Sequence, residues 1–104
     1  MSQVLNRKYN LLDESVILID RSTPWGNPFI IGVNGNRDEV CNIYESWLER
    51  WIKYKEESNI LIGIRIFNNK WVMAHVKELR GKDLVCWCSP SRCHGNILIE
   101  LANK

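Results

Sequence analysis

Cys86, Cys88, Cys93 and His94 put three thiols and an imidazole into one nine-residue run, Cys-Trp-Cys-Ser-Pro-Ser-Arg-Cys-His. These side chains are the nucleophiles, proton carriers and soft metal ligands of protein chemistry, and two chemistries compete for them. In the first, Cys93 stands at the start of a helix, where free amide groups and the helix dipole favour a thiolate, and Arg92 pushes the same way. Cys93 is then a candidate nucleophile, His94 its acid–base partner and Cys88 an accessory thiol. In the second, Cys86, Cys88, Cys93 and His94 ligate a tetrahedral zinc ion. Ligand count favours zinc. Spacing opposes it, because structural sites place about two to four residues between ligands and the adjacent Cys93 and His94 are expected to point apart. The plain alternative is that the cysteines pack as small hydrophobes beneath Trp87, with His94 as a cap. For Cys86 alone, on a strand whose residues alternate faces, that reading weighs as much as the chemical one; for the four together it is much weaker.

A second group lies early in the chain. Arg21, Ser22, Thr23, Trp25, Gly26 and Asn27 offer a cation, two hydroxyls, an aromatic face, a glycine open to close approach and an amide, all within seven positions. Arginine grips phosphate bidentately, tryptophan stacks on a base, and asparagine reads a base edge or sugar hydroxyl, so these are the parts of a nucleotide or phosphate pocket. The competing reading is a rigid turn, anchored in the core by Trp25 and Phe29, with Asn27 bonding the backbone before Pro28.

The elements that must position both groups are short. Val16 to Ile19 is an apolar, β-branched run that predicts a buried strand, with Val4 and Leu5 as a second strand beside it. Thr23-Pro24 and Gly26-Asn27-Pro28 then break regular structure. Phe29 to Val33 is expected to be a short extended piece, followed by a turn at Asn34-Gly35. From Arg37 the period changes: Val40, Ile43, Tyr44, Trp47, Leu48, Trp51 and Ile52 recur at three- and four-residue steps, predicting an amphipathic helix that ends after the charged Lys55–Glu57 segment. Residues 60 to 67, rich in β-branched side chains, read as a strand, with a helical turn as the alternative. Asn68 or Asn69 caps a helix through Leu79 that exits at Gly81. Leu84 to Trp87 reads as a buried strand, and Ile97 to Ala102 as a final helix.

Strands and helices thus alternate through 104 residues, which predicts one domain over residues 1–104: a small layered α/β fold with a short, mostly parallel sheet packed by helices. In such folds ligands gather at the carboxyl ends of strands and the amino ends of the helices that follow. Apolar residues make up 45% of the chain and charged residues 25%, which excludes a disordered chain. A net charge of +2 without long basic or acidic runs gives electrostatics no case for nucleic acid or a membrane surface. Met1 to Tyr9 lack a secretory signal and no segment approaches the roughly 20 apolar residues of a membrane span, so a cytoplasmic protein with no membrane partner is expected. Three of the four cysteines fall within eight positions, unlike the spread cysteines of a secreted disulfide scaffold, and read as thiols or ligands. Of the five tryptophans, most are expected in the core and some on a pocket wall.

Taken together, Arg21 with Trp25 to Phe29, Gly32 to Arg37, Tyr44 to Leu48 and Leu79 to Gly95 resemble the phage and bacterial domain of unknown function numbered 4326. The resemblance covers most of the chain and rests chiefly on its Trp-Gly-Asn-Pro-Phe and Cys-Trp-Cys-x-Pro-x-x-Cys-His motifs. It carries no established activity, and the segment from about Glu56 to Val76 is longer than is usual for the family. The last motif is also similar to the Cys-x-x-x-x-x-x-Cys-His segment of another α/β family, the domain numbered 488, which implies an α/β fold with a pocket at this connection.

The expected arrangement is therefore one pocket with two walls. Arg21, Ser22, Trp25, Gly26, Asn27 and Arg92 bind a nucleotide-like or phosphorylated small molecule, and Cys93 and His94, with Cys88, act on it. The alternative is a non-enzymatic module, a phage protein stabilised by zinc on the cysteine cluster, that engages a host protein or nucleic acid in the host cytoplasm.

Overall fold

Leu84, Val85 and Cys86 are consecutive apolar residues, a pattern suited to a strand covered on both faces. A computed structural model, which describes residues 3–7, 16–87 and 91–104, places them in the middle of the sheet. Strand β1 (Val4–Asn6) and strand β2 (Val16–Leu18) flank β5 (Asp83–Cys86), and both run parallel to it. Leu84 stands opposite Val4 on one side and Ile17 on the other. With its helices the chain is a small α/β fold whose main sheet is short and parallel.

Helix α1 (Arg37–Tyr54) starts at a capping box: the Asn36 side chain accepts from the Glu39 amide, and the Glu39 carboxylate accepts from the Asn36 amide. Its apolar stripe buries Val40, Cys41, Tyr44, Trp47 and Leu48. The helix ends before the charged segment rather than after it, because Lys55 turns left-handed at φ 55° and its amide closes on Trp51 O.

The run expected to be one strand over residues 60–67 is a hairpin, β3 (Asn59–Ile62) and β4 (Arg65–Asn68), with Leu61 paired to Ile66. Gly63 makes the difference: at φ +62° it supplies the positive angle of a two-residue hairpin turn, which an apolar run does not advertise. Phe29 to Val33 forms no strand either. Ile31 makes an isolated bridge to Gly35, and the backbone turns between them, with Gly32 at φ +89°.

Asn68 caps helix α2 (Asn69–His75) by accepting from the Trp71 amide at 2.7 Å, and a 3₁₀ turn (Val76–Leu79) continues it. Helix α3 (His94–Ala102) begins earlier than its apolar period indicates, with Cys93 as its N-cap. Its first turn sits directly on the sheet, and Gly95 is what permits this: a Cβ there would lie 2.6 Å from Ile19 Cδ1 and 3.0 Å from Val4 Cγ2. The amino end of α3 is thereby set at the carboxyl ends of the parallel strands.

Candidate functional site

Strand β5 delivers Cys86 as its last residue, and the N-cap of α3 delivers Cys93. The capping geometry brings Cys93 and His94 together where spacing alone had them diverge. Cys93 has an extended backbone, at φ −141° and ψ 152°, so its side chain folds back over the first turn and accepts from the Gly95 amide at 3.4 Å. His94 occupies the first helical position, and its Nδ1 lies 3.5 Å from Cys93 Sγ. On the other side of that sulfur, Cys86 Sγ stands 3.1 Å away. All three are buried, at 4%, 2% and 5% exposure for Cys86, Cys93 and His94.

The imidazole is held in one orientation. Nε2 lies 2.9 Å from Ile19 O and 3.1 Å from Trp25 O, and since carbonyl oxygens only accept, Nε2 carries a proton. That orientation turns Nδ1 toward Cys93 Sγ. Tyr44 fixes the ring from α1 with an edge-to-face contact, centroids 5.1 Å apart. Burial first, and the charge of Cys93 second, push the Tyr44 phenol far above its usual range, so it stays protonated; its hydroxyl is buried with no hydrogen-bond partner.

The early loop closes against this cluster. Asp20 accepts from the Ser22 amide and hydroxyl and from Trp87 Nε1, tying the loop to the chain after β5. Burial works to raise the Asp20 carboxyl, but the Ser22 and Trp87 hydrogen bonds and the Arg21 charge prevail and hold it below the ordinary carboxylate range. Gly26 presses on its own loop: an added Cβ would come within 2.6 Å of Arg21 Cα and Asp20 O.

Between loop and cluster lies a cavity of about 410 Å³. Asp20, Arg21, Ser22, Asn27 and Phe29 to Ile31 line one side; Arg37, Val40 and Cys41 of α1 line another; Cys86, Trp87, Arg92, Cys93 and His94 complete it. The early and late motifs thus share one space. Each residue read from sequence that falls among the described residues has a definite place. Arg21 and Ser22 are exposed at the cavity, with Arg21 Nη1 donating to Asn27 O at 3.3 Å. Asn27 is buried and bonds backbone through both ends of its amide, to Val40 O and from the Phe29 amide. Arg92 reaches Asp38 and Asn42 on α1. The Trp25 ring lies in the core, edge-on to Trp71 at 4.9 Å, and its contribution to the cluster is the carbonyl that holds His94. Cys88 lies outside the described residues.

Several residues at or behind the cavity were not singled out as site residues in the sequence. Cys41 and Tyr44 sit three apart on the apolar stripe of α1 and look like core, Arg37 looks like the solvated start of a helix, and Trp87 was taken as cover for the cysteines. Asp20 carried a legible signal, since Asp-x-Ser is the spacing of a turn closed by the aspartate side chain.

The side chains can do two things. Nδ1 and Cys93 Sγ form a thiol–imidazole pair opening on a cavity. Alternatively, one donor atom each from Cys86, Cys93 and His94, all within 4.8 Å of one another, can hold a metal ion. Zinc bonds at tetrahedral angles set two thiolates roughly 3.8 Å apart and thiolate and imidazole roughly 3.6 Å apart, so the residues fit zinc with a small opening of the sulfur pair. Nε2 on two carbonyls is also the outer support that metal-bound histidines usually have.

Comparison with known proteins gives a family without a chemistry. The profile of the family described as "Domain of unknown function (DUF4326)" matches residues 3–104. An uncharacterized 12.4 kDa protein of the nrdA-td intergenic region of Enterobacteria phage T4 is 30% identical over 86 residues, which is 83% of this chain. The match spans 66% of that protein's length, just under two-thirds. No solved structure matches.

Proposed function

The chain belongs to the DUF4326 family of phage-like domains, and on that premise we propose that it binds a nucleotide-like or otherwise phosphorylated small molecule in the cavity between the Arg21–Asn27 loop and the start of α3, and acts on it through Cys93. The observation that carries this reading is the orientation of His94. With Nε2 donating to two carbonyls, the imidazole is turned so that Nδ1 faces, at 3.5 Å, a sulfur that borders the cavity. In the proposed reaction Nδ1 takes the thiol proton, Sγ bonds to an electrophilic atom of the ligand, and the imidazolium returns the proton to the departing group. Arg21 and Ser22 hold the ligand at the rim, Asn27 and Gly26 fix the loop that presents them, and Arg92 anchors the α3 side. Cys88 remains a proposed accessory thiol. The setting is the cytoplasm, that of the host where the chain is phage-borne, and no helix among the described residues is long and apolar enough to cross a membrane.

Two measurements on the purified protein test this reading. Thermal melts against a panel of nucleotides and sugar phosphates are expected to show one class raising Tm, since a ligand a hundredfold above its Kd adds about 2.7 kcal/mol of stability. Iodoacetamide labelling followed by peptide mass spectrometry is expected to find Cys93 the first cysteine modified. A flat melt panel together with an unreactive Cys93 would sink the proposal.

The second reading is zinc held by Cys86, Cys93 and His94, with Cys88 as the proposed fourth ligand, in a module that engages a host protein or nucleic acid. It is favoured by the mutual approach of the three donor atoms and the carbonyl support of Nε2. Elemental analysis separates the readings. The thiol reading expects less than about 0.1 metal per chain and no loss of fold with a chelator; stoichiometric zinc whose removal unfolds the chain would replace it with the structural module.

A further inference from the structure

Among the described residues three guanidiniums and one carboxylate line the cavity, and they are not equally occupied. Arg92 spends Nη1 on Asp38 and Nη2 on Asn42, and Arg21 spends Nη1 on Asn27 O. The acceptors of Asp20 are likewise taken, by Ser22 and by the Trp87 indole. Arg37 differs. It is the first residue of α1, and its Nη1 is shut off from solvent with no hydrogen-bond partner. A charged donor in that position forfeits its hydration without replacement, a penalty that folding leaves standing unless a ligand supplies the acceptor. The acceptor best suited to a guanidinium fork is an oxyanion, held by two parallel N–H bonds.

We propose that Arg37 is the anion clamp of the cavity and takes the terminal phosphoryl group of the ligand, which turns the electrophilic part toward Cys93. This rests on the thiol reading above for its chemistry, though not for the binding itself. The anionic end lies against α1, a wall built from a different segment than either sequence motif. Val40 and Cys41 of the same helix line the cavity with Arg37, so the α1 wall offers one charged group among apolar ones, suiting a phosphate monoester or a terminal diphosphate.

The test compares two alkylating probes of nearly equal size, anionic iodoacetate and neutral iodoacetamide, on the full chain at low salt. Rates at Cys93 are normalised to the same pair of rates on N-acetylcysteine. The wild type is expected to favour iodoacetate by about tenfold after normalisation, in keeping with one charge-assisted contact. Arg37→Gln is expected to erase the preference, read as the ratio of the two normalised rates so that any common change in thiolate fraction cancels, and Arg37→Lys to keep part of it. A fold defect would expose the buried Cys93 and also erase the preference, so the comparison is made at a temperature well below the melting transition of both proteins, with unchanged circular dichroism as the control. Pyrophosphate and inorganic phosphate, tested separately by thermal melts, are expected to stabilise the wild type and not Arg37→Gln. If Cys93 proves inert to both probes, the thiol reading fails while the melts still decide the clamp. An absent iodoacetate preference, or anion stabilisation that survives in Arg37→Gln, overturns the assignment.

Discussion

Cys93 in a His94→Gln variant is expected to react with iodoacetamide on the order of 100-fold more slowly than in the wild type, the usual loss when a positioned base is removed. Glutamine is the informative replacement because its amide nitrogen can reach toward Ile19 O and Trp25 O, the two carbonyls that Nε2 satisfies, while supplying no base at the place of Nδ1. Alanine would lose the base and also leave those two buried oxygens unpaired, at a cost of about 1–3 kcal/mol each, so a slow rate there would mix chemistry with damage. His94→Gln should therefore melt close to the wild type. A labelling time course read by mass spectrometry gives the rate, with Cys41 and Cys86 labelling as internal comparison. An unchanged rate at Cys93 would mean that the sulfur is activated by the Gly95 amide and the helix end alone, and His94 would then be a structural pin between α3 and the early loop.

The parts of this site that were legible in the sequence are those carried by local chemistry. Cys93 and His94 sit beside each other in the chain, and Arg21, Ser22 and Asn27 share one loop, so composition alone marked both groups. The parallel strands also announced themselves, because Val16 to Leu18 and Leu84 to Cys86 are unbroken apolar runs. What spacing could not reveal was the cap. An N-cap residue leaves the helical path, and the extended backbone of Cys93 returns its sulfur over the very residue from which a regular helix would separate it. Nor could periodicity separate Cys41 and Tyr44 from ordinary core, since a residue that lines a cavity and one that fills a core occupy the same stripe of a helix. The role of Trp25 was hidden for a related reason: its ring went to the core, and it serves the cluster through a carbonyl that every residue possesses. Arg37 shows the converse. Polar residues at a helix start look solvated, and only the folded chain shows that one nitrogen of this guanidinium is sealed from water.

Asn69→Ala is expected to remove about 3–5 kcal/mol of stability, a large share of the roughly 5–15 kcal/mol typical of a folded domain. Asn69 is fully buried, and its amide makes four hydrogen bonds to backbone: Nδ2 donates to Trp47 O at 2.9 Å and Glu56 O at 3.0 Å, while Oδ1 accepts from the Ser58 and Lys70 amides, each at 2.8 Å. One side chain thereby joins the body of α1, the segment that leaves it, and the start of α2. Alanine would remove all four bonds at once: the second acceptor contact of Trp47 O inside the buried end of the junction, and the part-buried links to Glu56 O and the Ser58 amide that tie the segment after α1 to the start of α2. Asn69→Asp tests the same point from the other side, because it preserves shape and Oδ1 but turns a carboxylate oxygen toward Trp47 O and Glu56 O; it is expected to be at least as damaging as alanine at neutral pH. Urea denaturation should show a lower midpoint at unchanged slope, since the surface exposed on unfolding is the same. A loss below about 1 kcal/mol for both variants would show that the junction is hydrated and that α1 is pinned by its apolar stripe alone. The site makes the junction matter beyond stability. Arg37, Cys41 and Tyr44 all reach the cavity or the imidazole from α1, so whatever fixes the far end of that helix also fixes the wall opposite Cys93. The iodoacetate preference of the folded fraction should accordingly fall in Asn69→Ala even at a temperature where the chain remains mostly native, whereas its reaction with iodoacetamide, set by α3 and the two carbonyls, should not.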